Sequence, residues 1–178
     1  MPVSPIMEER KKTLPVSMSV AVIMERRESS NIWVDEVWTA AGVTGEVKCG
    51  GAEQAEARVV NEQAGMQQIL YPGFNVSLYV DECESYYHNL VSPNPSCYVI
   101  TRNSDEGVPL PYIVTLSFDV ANAYLECEGE VFTVPMQPEL YRWMEEFVLQ
   151  NYVPEKRVKR KRKDWRQAGH EAAGDTQA

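Results

Sequence analysis

The sequence is poor in the residues on which most enzyme sites depend. It has only two histidines, His88 and His170, and histidine is the side chain that most readily moves protons near neutral pH. The phosphate-binding Gly-x-x-x-x-Gly-Lys-Ser/Thr loop, the dinucleotide Gly-x-Gly-x-x-Gly loop, the Gly-x-Ser-x-Gly elbow and the His-Glu-x-x-His zinc motif are all missing. The sequence therefore predicts a protein that is not an enzyme. An unrecognised enzyme on a small β-rich fold stays open as an alternative.

The four cysteines are widely spaced. Cys49, Cys83, Cys97 and Cys127 are separated by 34, 14 and 30 positions, and no Cys-x-x-Cys or Cys–His pair occurs. This spacing gives no support for a zinc site, so we predict no metal and no cofactor. A site made from three distant cysteines that meet in space is the alternative. Glutamates flank two of these cysteines on both sides, and adjacent carboxylates raise the pKa of a thiol and make it a poorer nucleophile.

Long apolar runs are also missing. Met1 to Leu14 carries five charged side chains and no apolar run of signal-peptide length. No later segment approaches the roughly 20 apolar residues that a membrane span requires. We therefore expect a cytoplasmic protein with no membrane partner, whose cysteines stay reduced.

Charge is distributed unevenly along the chain, whose formal net charge is −9. From Met1 to Pro154 there are 9 Lys and Arg against 22 Asp and Glu, a net charge of −13. From Glu155 to Ala178 there are 8 against 4, a net charge of +4. An acidic body repels phosphate and anionic lipid, so nucleic acid could be bound only through the tail.

The positive charge of the tail is concentrated in one run, in which seven of the eight residues from Lys156 to Lys163 are basic. A helix of this composition would place like charges at three of its four i, i+4 pairs, so we expect the tail to be disordered until an acidic surface neutralises it. That surface could be nucleic acid, an acidic protein or the acidic body of this chain. A tail that is only solvated is the remaining alternative.

Composition and turn signals divide the chain into an irregular lead-in over residues 1–15, one α+β domain over 16–153 and the tail over 154–178. Hydrophobic residues make up 44% of the 178 residues, which is enough for a core without disulfides or a structural metal. Short strands with tight connections favour a mainly antiparallel sheet or a small β-barrel-like body, with a packed C-terminal helix.

Alternating apolar and polar residues predict the strands. Val16 to Glu25 and Trp33 to Val43 are expected to form a hairpin-like pair across a polar turn. The other predicted strands are Phe74 to Val80, Glu84 to Val91, Cys97 to Arg102, Tyr112 to Phe118 and Val131 to Val134.

Three helices are predicted. A short one is expected at Ala52 to Val60, inside a polar surface excursion from Gly42 to Gly65, and another at Val120 to Cys127 with Asp119 as its cap. The terminal helix begins at Gln137-Pro138-Glu139. Its apolar residues recur at helical spacing, which predicts one face packed on the sheet. These residues are Leu140, Trp143, Met144, Phe147 and Val148.

A charged and aromatic segment is the strongest candidate for a binding site. Arg26 and Arg27 lie at the end of a predicted strand, and arginine forks donate to carboxylate or phosphate. Nearby tryptophans combine a large apolar area with an N–H donor, as in binding hot spots. The alternative is that the arginines are solvated beside a turn and the tryptophans are in the core. With the basic run added, the predicted partner-binding residues are Glu25, Arg26, Arg27, Trp33, Trp38, Lys156, Arg157, Lys159, Arg160, Lys161, Arg162 and Lys163.

Five segments carry a resemblance to a known family. They are Val20 to Arg27 with Trp33 and Val37-Trp38, Glu84 to Leu90, Cys97 to Arg102, Val134 to Met136, and the aromatic helix with its Lys/Arg run. Together, from Met18 to Trp165, they resemble an uncharacterised bacterial family encoded beside formate dehydrogenase genes. The resemblance implies a small accessory protein of a molybdenum- or tungsten-dependent formate dehydrogenase system, and it supplies no catalytic residues.

The residues and the resemblance together predict a non-catalytic accessory or assembly protein that binds a formate dehydrogenase subunit or its maturation machinery. The acidic body and the basic tail would engage oppositely charged surfaces. The alternative is a regulatory nucleic-acid-binding protein that acts through the basic tail.

Overall fold

The computed structural model describes residues 16–30, 33–45, 56–127 and 129–153. These residues form seven β-strands and three α-helices, with every strand pair antiparallel, which confirms the predicted α+β class. The predicted lead-in, the basic tail and residues 46–55 of the predicted excursion from Gly42 to Gly65 lie outside the described residues.

The first sheet has four strands in the order β2-β1-β4-β3. Their bounds are Ser17–Glu28 for β1, Glu36–Gly45 for β2, Arg58–Gln63 for β3 and Met66–Ser77 for β4. The predicted antiparallel pairing of the first two strands is confirmed, with Arg26 opposite Trp38. A tight turn with Gly65 at φ +72° joins β3 to β4, a conformation that glycine adopts without steric cost.

The second sheet has three strands in the order β6-β5-β7. Their bounds are Ser96–Asn103 for β5, Pro109–Thr115 for β6 and Glu130–Pro135 for β7. The two sheets approach each other where β2 meets β7 and where β4 meets β6. Among the described strands neither sheet closes on itself, so the architecture is two open sheets and the barrel-like alternative is not found.

Three helices accompany the sheets. They are α1 at Cys83–Leu90, α2 at Phe118–Glu126 and α3 at Pro138–Asn151. The described part of the chain contains no helix long and apolar enough to cross a membrane.

The main hydrophobic core brings together both sheets, α1 and α3. The predicted packing of the terminal helix is confirmed, because Leu140, Trp143, Met144, Phe147 and Val148 are all buried. On β1, Val20, Val22 and Met24 alternate along one face and are fully buried. We call the face that carries these three residues the inner face of the first sheet. Arg26 is the next residue of β1 on that face.

Three local predictions are wrong. Glu84 to Val91 is not a strand, since α1 occupies Cys83–Leu90 and Val91 is its C-cap. Arg58, Val59 and Val60 belong to β3 and not to a helix. The cap of α2 is Ser117, whose hydroxyl accepts from the N–H of Val120.

Candidate functional site

The end of the β1–β2 hairpin presents the predicted binding residues on two different faces. Side chains alternate along a strand, so Glu25 and Arg27 lie on the outer face of the first sheet and Arg26 on the inner face. The strand register places Trp38 opposite Arg26 and Val37 opposite Arg27. The predicted cluster is therefore divided by the sheet instead of forming one patch.

On the outer face, Glu25 is only 7% exposed, and its carboxylate accepts hydrogen bonds from two neighbouring side chains. Its Oε1 accepts a hydrogen bond from Nε of Arg27 at 2.5 Å, and its Oε2 accepts one from Nε2 of Gln68 at 2.7 Å. The hydrogen bond from Gln68, with help from Arg27, lowers the pKa of Glu25 although burial acts in the opposite direction. An ionised Glu25 thus fixes the orientation of Arg27, whose side chain is 64% exposed.

On the inner face, Arg26 forms an ion pair with Glu36, with 2.9 Å between Nη1 and Oε1. Glu28 and Glu62 lie beside this pair in the lining of a small cleft of about 110 Å³. Three carboxylates against one guanidinium make this cleft unfavourable for a phosphate group. Both predicted arginines therefore already have a carboxylate partner within the chain.

The two tryptophans of the hairpin have different environments. Trp38 is half-buried and packs against the core, as the structural alternative predicted for both tryptophans. Trp33, in the turn between the strands, is 85% exposed, and Val34 and Val37 are also largely exposed. We call Arg26, Arg27, Trp33, Val34 and Val37 the hairpin-end surface. The remaining predicted residues, Lys156, Arg157, Lys159, Arg160, Lys161, Arg162 and Lys163, lie outside the described residues.

A second polar cluster lies where α1 and α2 begin. The Ser117 hydroxyl donates to Oε2 of Glu82 at 2.5 Å and lies 3.0 Å from the Ser85 hydroxyl. Ser117 is completely buried, so no substrate can reach its oxygen. This cluster ties the start of α2 to the start of α1. Local sequence patterns do not reveal this cluster because its partners are 32 and 35 positions apart in the chain, although serine before an apolar run is an ordinary helix-cap signal.

The buried thiols and phenols are unsuited to nucleophilic chemistry. Burial raises the pKa of Cys97 to about 12 and that of Tyr86 to about 12, and it also raises the pKa of Cys83. These groups are therefore protonated at neutral pH and are poor nucleophiles. Across residues 16–30, 33–45, 56–127 and 129–153, no group of three or more His, Cys, Asp or Glu side chains is placed to hold a metal ion.

One protein family matches the sequence of this chain. A family described as "Protein of unknown function (DUF3305)" matches residues 19–163, which is more than half of the chain. The chain belongs to the DUF3305 family. The match takes in all three helices and the hairpin-end surface, and it ends at Lys163, the last residue of the basic run. No curated protein and no solved structure matches the chain.

Proposed function

We propose that this DUF3305 protein is a non-catalytic accessory protein that binds a protein partner through its hairpin-end surface. The observation that carries the proposal is the 85% exposure of Trp33 beside the exposed Val34 and Val37. Isolated apolar side chains are common on protein surfaces, but clustered ones mark interaction sites. Tryptophan and arginine are also the residues most enriched at the energetic centres of interfaces.

The two arginines suit such an interface because their side chains are already held in place. Glu25 fixes Arg27 and Glu36 fixes Arg26. A partner that meets an ordered side chain loses less conformational entropy on binding than one that must order it. The hairpin end thus offers an apolar contact at the turn, with an arginine fixed on each face of the sheet.

The charge of the body indicates the sign of the partner surface. The described residues contain 5 Arg and no Lys against 17 Asp and Glu, which gives 5 − 17 = −12. Oppositely charged surfaces accelerate encounter and disfavour wrong partners. We expect the partner to be basic overall, with an apolar pocket that accepts Trp33 and with acceptor groups that face Arg26 and Arg27.

The proposed partner is a subunit of a molybdenum- or tungsten-dependent formate dehydrogenase, or a component of its maturation machinery. The support for this identity is the sequence resemblance from Met18 to Trp165. A nucleic-acid-binding function would depend on the basic tail alone, because the acidic body repels phosphate.

Affinity purification of tagged full-length protein from the native host tests the proposal. Formate dehydrogenase subunits are quantified by mass spectrometry for the wild type, Trp33→Ser and the control Leu149→Ser, whose side chain is 79% exposed on α3. Loss of a hot-spot tryptophan, worth about 2 kcal/mol or more, should lower capture roughly thirty-fold, and the control should capture normally.

Two results would contradict the proposal. One is equal capture by Trp33→Ser and the wild type. The other is a deletion strain with normal formate dehydrogenase activity and full cofactor occupancy.

A further inference from the structure

A second surface, away from the hairpin end, contains an open cleft of about 370 Å³ between α1, β5 and the start of α2. Its walls include two aromatic rings, Tyr98 and Phe118, whose centroids are 6.1 Å apart in an edge-to-face arrangement. Phe118 is 51% exposed. The lining residues are His88, Asn89, Ser92, Pro93, Asn94, Tyr98 and Phe118.

One polar group in the lining of this cleft lacks a hydrogen-bond partner. The hydroxyl oxygen of Ser92 is buried and has no hydrogen-bond partner among the described residues. The neighbouring Asn89 is fully engaged, because its amide donates to the carbonyls of Ser96 and Leu116 at 2.8 Å each. A buried polar atom without a partner is costly. The rest of the Ser92 side chain is only partly buried and lines the cleft, so a change of rotamer would bring its hydroxyl to a donor bound there and remove that cost.

The surroundings of the cleft favour a cation. Ser92, Pro93 and Asn94 follow the carboxyl end of α1, which carries partial negative charge. Two N–H groups in the first turn of α2 are already used, because the backbone N–H of Asp119 donates to the Ser85 hydroxyl and that of Val120 to the Ser117 hydroxyl. Aromatic rings attract ammonium and guanidinium groups and also pack against their aliphatic stems. A lysine or arginine side chain fits these features.

A source of such side chains begins next to the cleft. Tyr152 follows α3, and its ring lies 5.3 Å from that of Tyr87, which in turn lies 5.7 Å from His88 in the cleft lining. Lys156 is four residues beyond Tyr152, and four extended residues span about 14 Å. The basic run from Lys156 to Lys163 is therefore tethered within reach of the cleft.

We propose that this cleft binds a basic side chain of the segment Lys156 to Lys163 of the same chain. The tail carries a net charge of +4 and the described residues carry −12, so the tail and the body attract each other. A short tether gives the segment an effective concentration of the order of millimolar, so even a weak contact is populated. Any acidic partner of the basic run then has to displace it from the cleft. The inference concerns a surface separate from the hairpin end, so it stands or falls independently of the proposed function.

A zero-length carbodiimide cross-link between lysine amines and carboxylates tests the proposal on the full chain. No lysine lies between Lys48 and Lys156, so cross-linked lysines are easily assigned. The reaction is performed at low ionic strength on dilute protein, and the monomer is digested for mass spectrometry. We expect cross-links from the basic run to Glu84, which lies one turn from His88 on α1.

Variants of the cleft identify the contact. Phe118→Ala should lower the yield of these cross-links roughly five-fold, the equivalent of about 1 kcal/mol of lost cation–aromatic contact. The matched control is Leu125→Ala, on the same helix and 52% exposed, which should not change the yield. Ser92→Ala should also lower the yield, and it provides an independent test if Phe118→Ala fails to fold by circular dichroism.

Three outcomes would overturn the proposal. They are an unchanged yield in both cleft variants, cross-links found only in covalent dimers, and cross-links to Glu36 or Glu62 at the hairpin end in place of Glu84. The second would mean that the segment docks on another copy. The third would mean that it docks at the hairpin end.

Discussion

The face of α3 that packs on the core and the turn of the β1–β2 hairpin each contain a tryptophan, and the two residues have opposite environments. Trp143 is 6% exposed and Trp33 is 85% exposed. Trp143 follows Leu140 at helical spacing and continues an apolar stripe, whereas Trp33 lies in the turn between β1 and β2, where no helical or strand periodicity gives it a buried face. The free energy of burying Trp143 is already part of folding, while that of burying Trp33 is still available to a partner. Position within an element, and not residue type, separates a stabilising tryptophan from a binding one.

The largest expected effect is the loss of the Trp143 ring. Trp143→Ala removes a large side chain from the core and should lower the free energy of unfolding by about 3–5 kcal/mol. Trp33→Ala is the matched control, and at an exposed turn it should change stability by less than about 0.5 kcal/mol. Denaturant unfolding measures both variants. Similar midpoints for the two would show that α3 does not contribute to the core as the packing indicates.

A smaller effect is expected at Glu25, and it depends on pH. Since the folded state lowers the pKa of Glu25, its contribution is present above the unfolded pKa and is lost as pH falls through the folded pKa. Glu25→Gln should therefore lower stability at neutral pH, by about 1 kcal/mol, and the difference from the wild type should shrink in acid. Urea unfolding at a series of pH values measures this difference.

Gln68→Leu sharpens the same test. It removes the hydrogen bond that contributes most to the lowered pKa of Glu25. The variant should then lose less stability in acid than the wild type, and the loss should be complete at a higher pH. If Gln68→Leu and the wild type lose stability over the same range, the carboxylate of Glu25 is not held as the geometry indicates.

The contrast between α3 and α1 explains which parts of the fold the sequence could predict. In α3 the apolar spacing is uninterrupted, with proline at its start, so the helix and its buried face were predictable. In α1 the residues Cys83, Tyr86, Tyr87 and Leu90 have helical spacing, but buried polar Ser85 and Asn89 interrupt it. The adjacent aromatic residues also favour a strand. The local sequence thus contains signals for both a helix and a strand, and contacts with distant parts of the chain determine that the segment is a helix.

The candidate site, too, could be predicted from the sequence only in part. The alternation of β1 already places Glu25 and Arg27 on one face and Arg26 on the other, and this division was predictable. The contact between Glu25 and Gln68 was not, because the two residues are 43 positions apart and meet only through the β2-β1-β4-β3 strand order. The alternation of residues along a strand predicts the face of the sheet on which a side chain lies. The residue that it contacts on that face depends on which strands pair.

The smallest effect on stability is expected from replacing both hairpin arginines with lysine. Arg26→Lys and Arg27→Lys keep the charge but lose the planar fork, including the Nε donor that contacts Glu25. Because these are partly exposed ion pairs, each should contribute about 0–1 kcal/mol, so the double variant should unfold close to the wild-type midpoint. Its capture of partner should still weaken, since a flexible ammonium cannot reproduce a pre-oriented guanidinium. A large loss of stability in the double variant would mean that these arginines, like Trp143, contribute mainly to the stability of the fold. The hairpin end would then not differ from the core in the way proposed here.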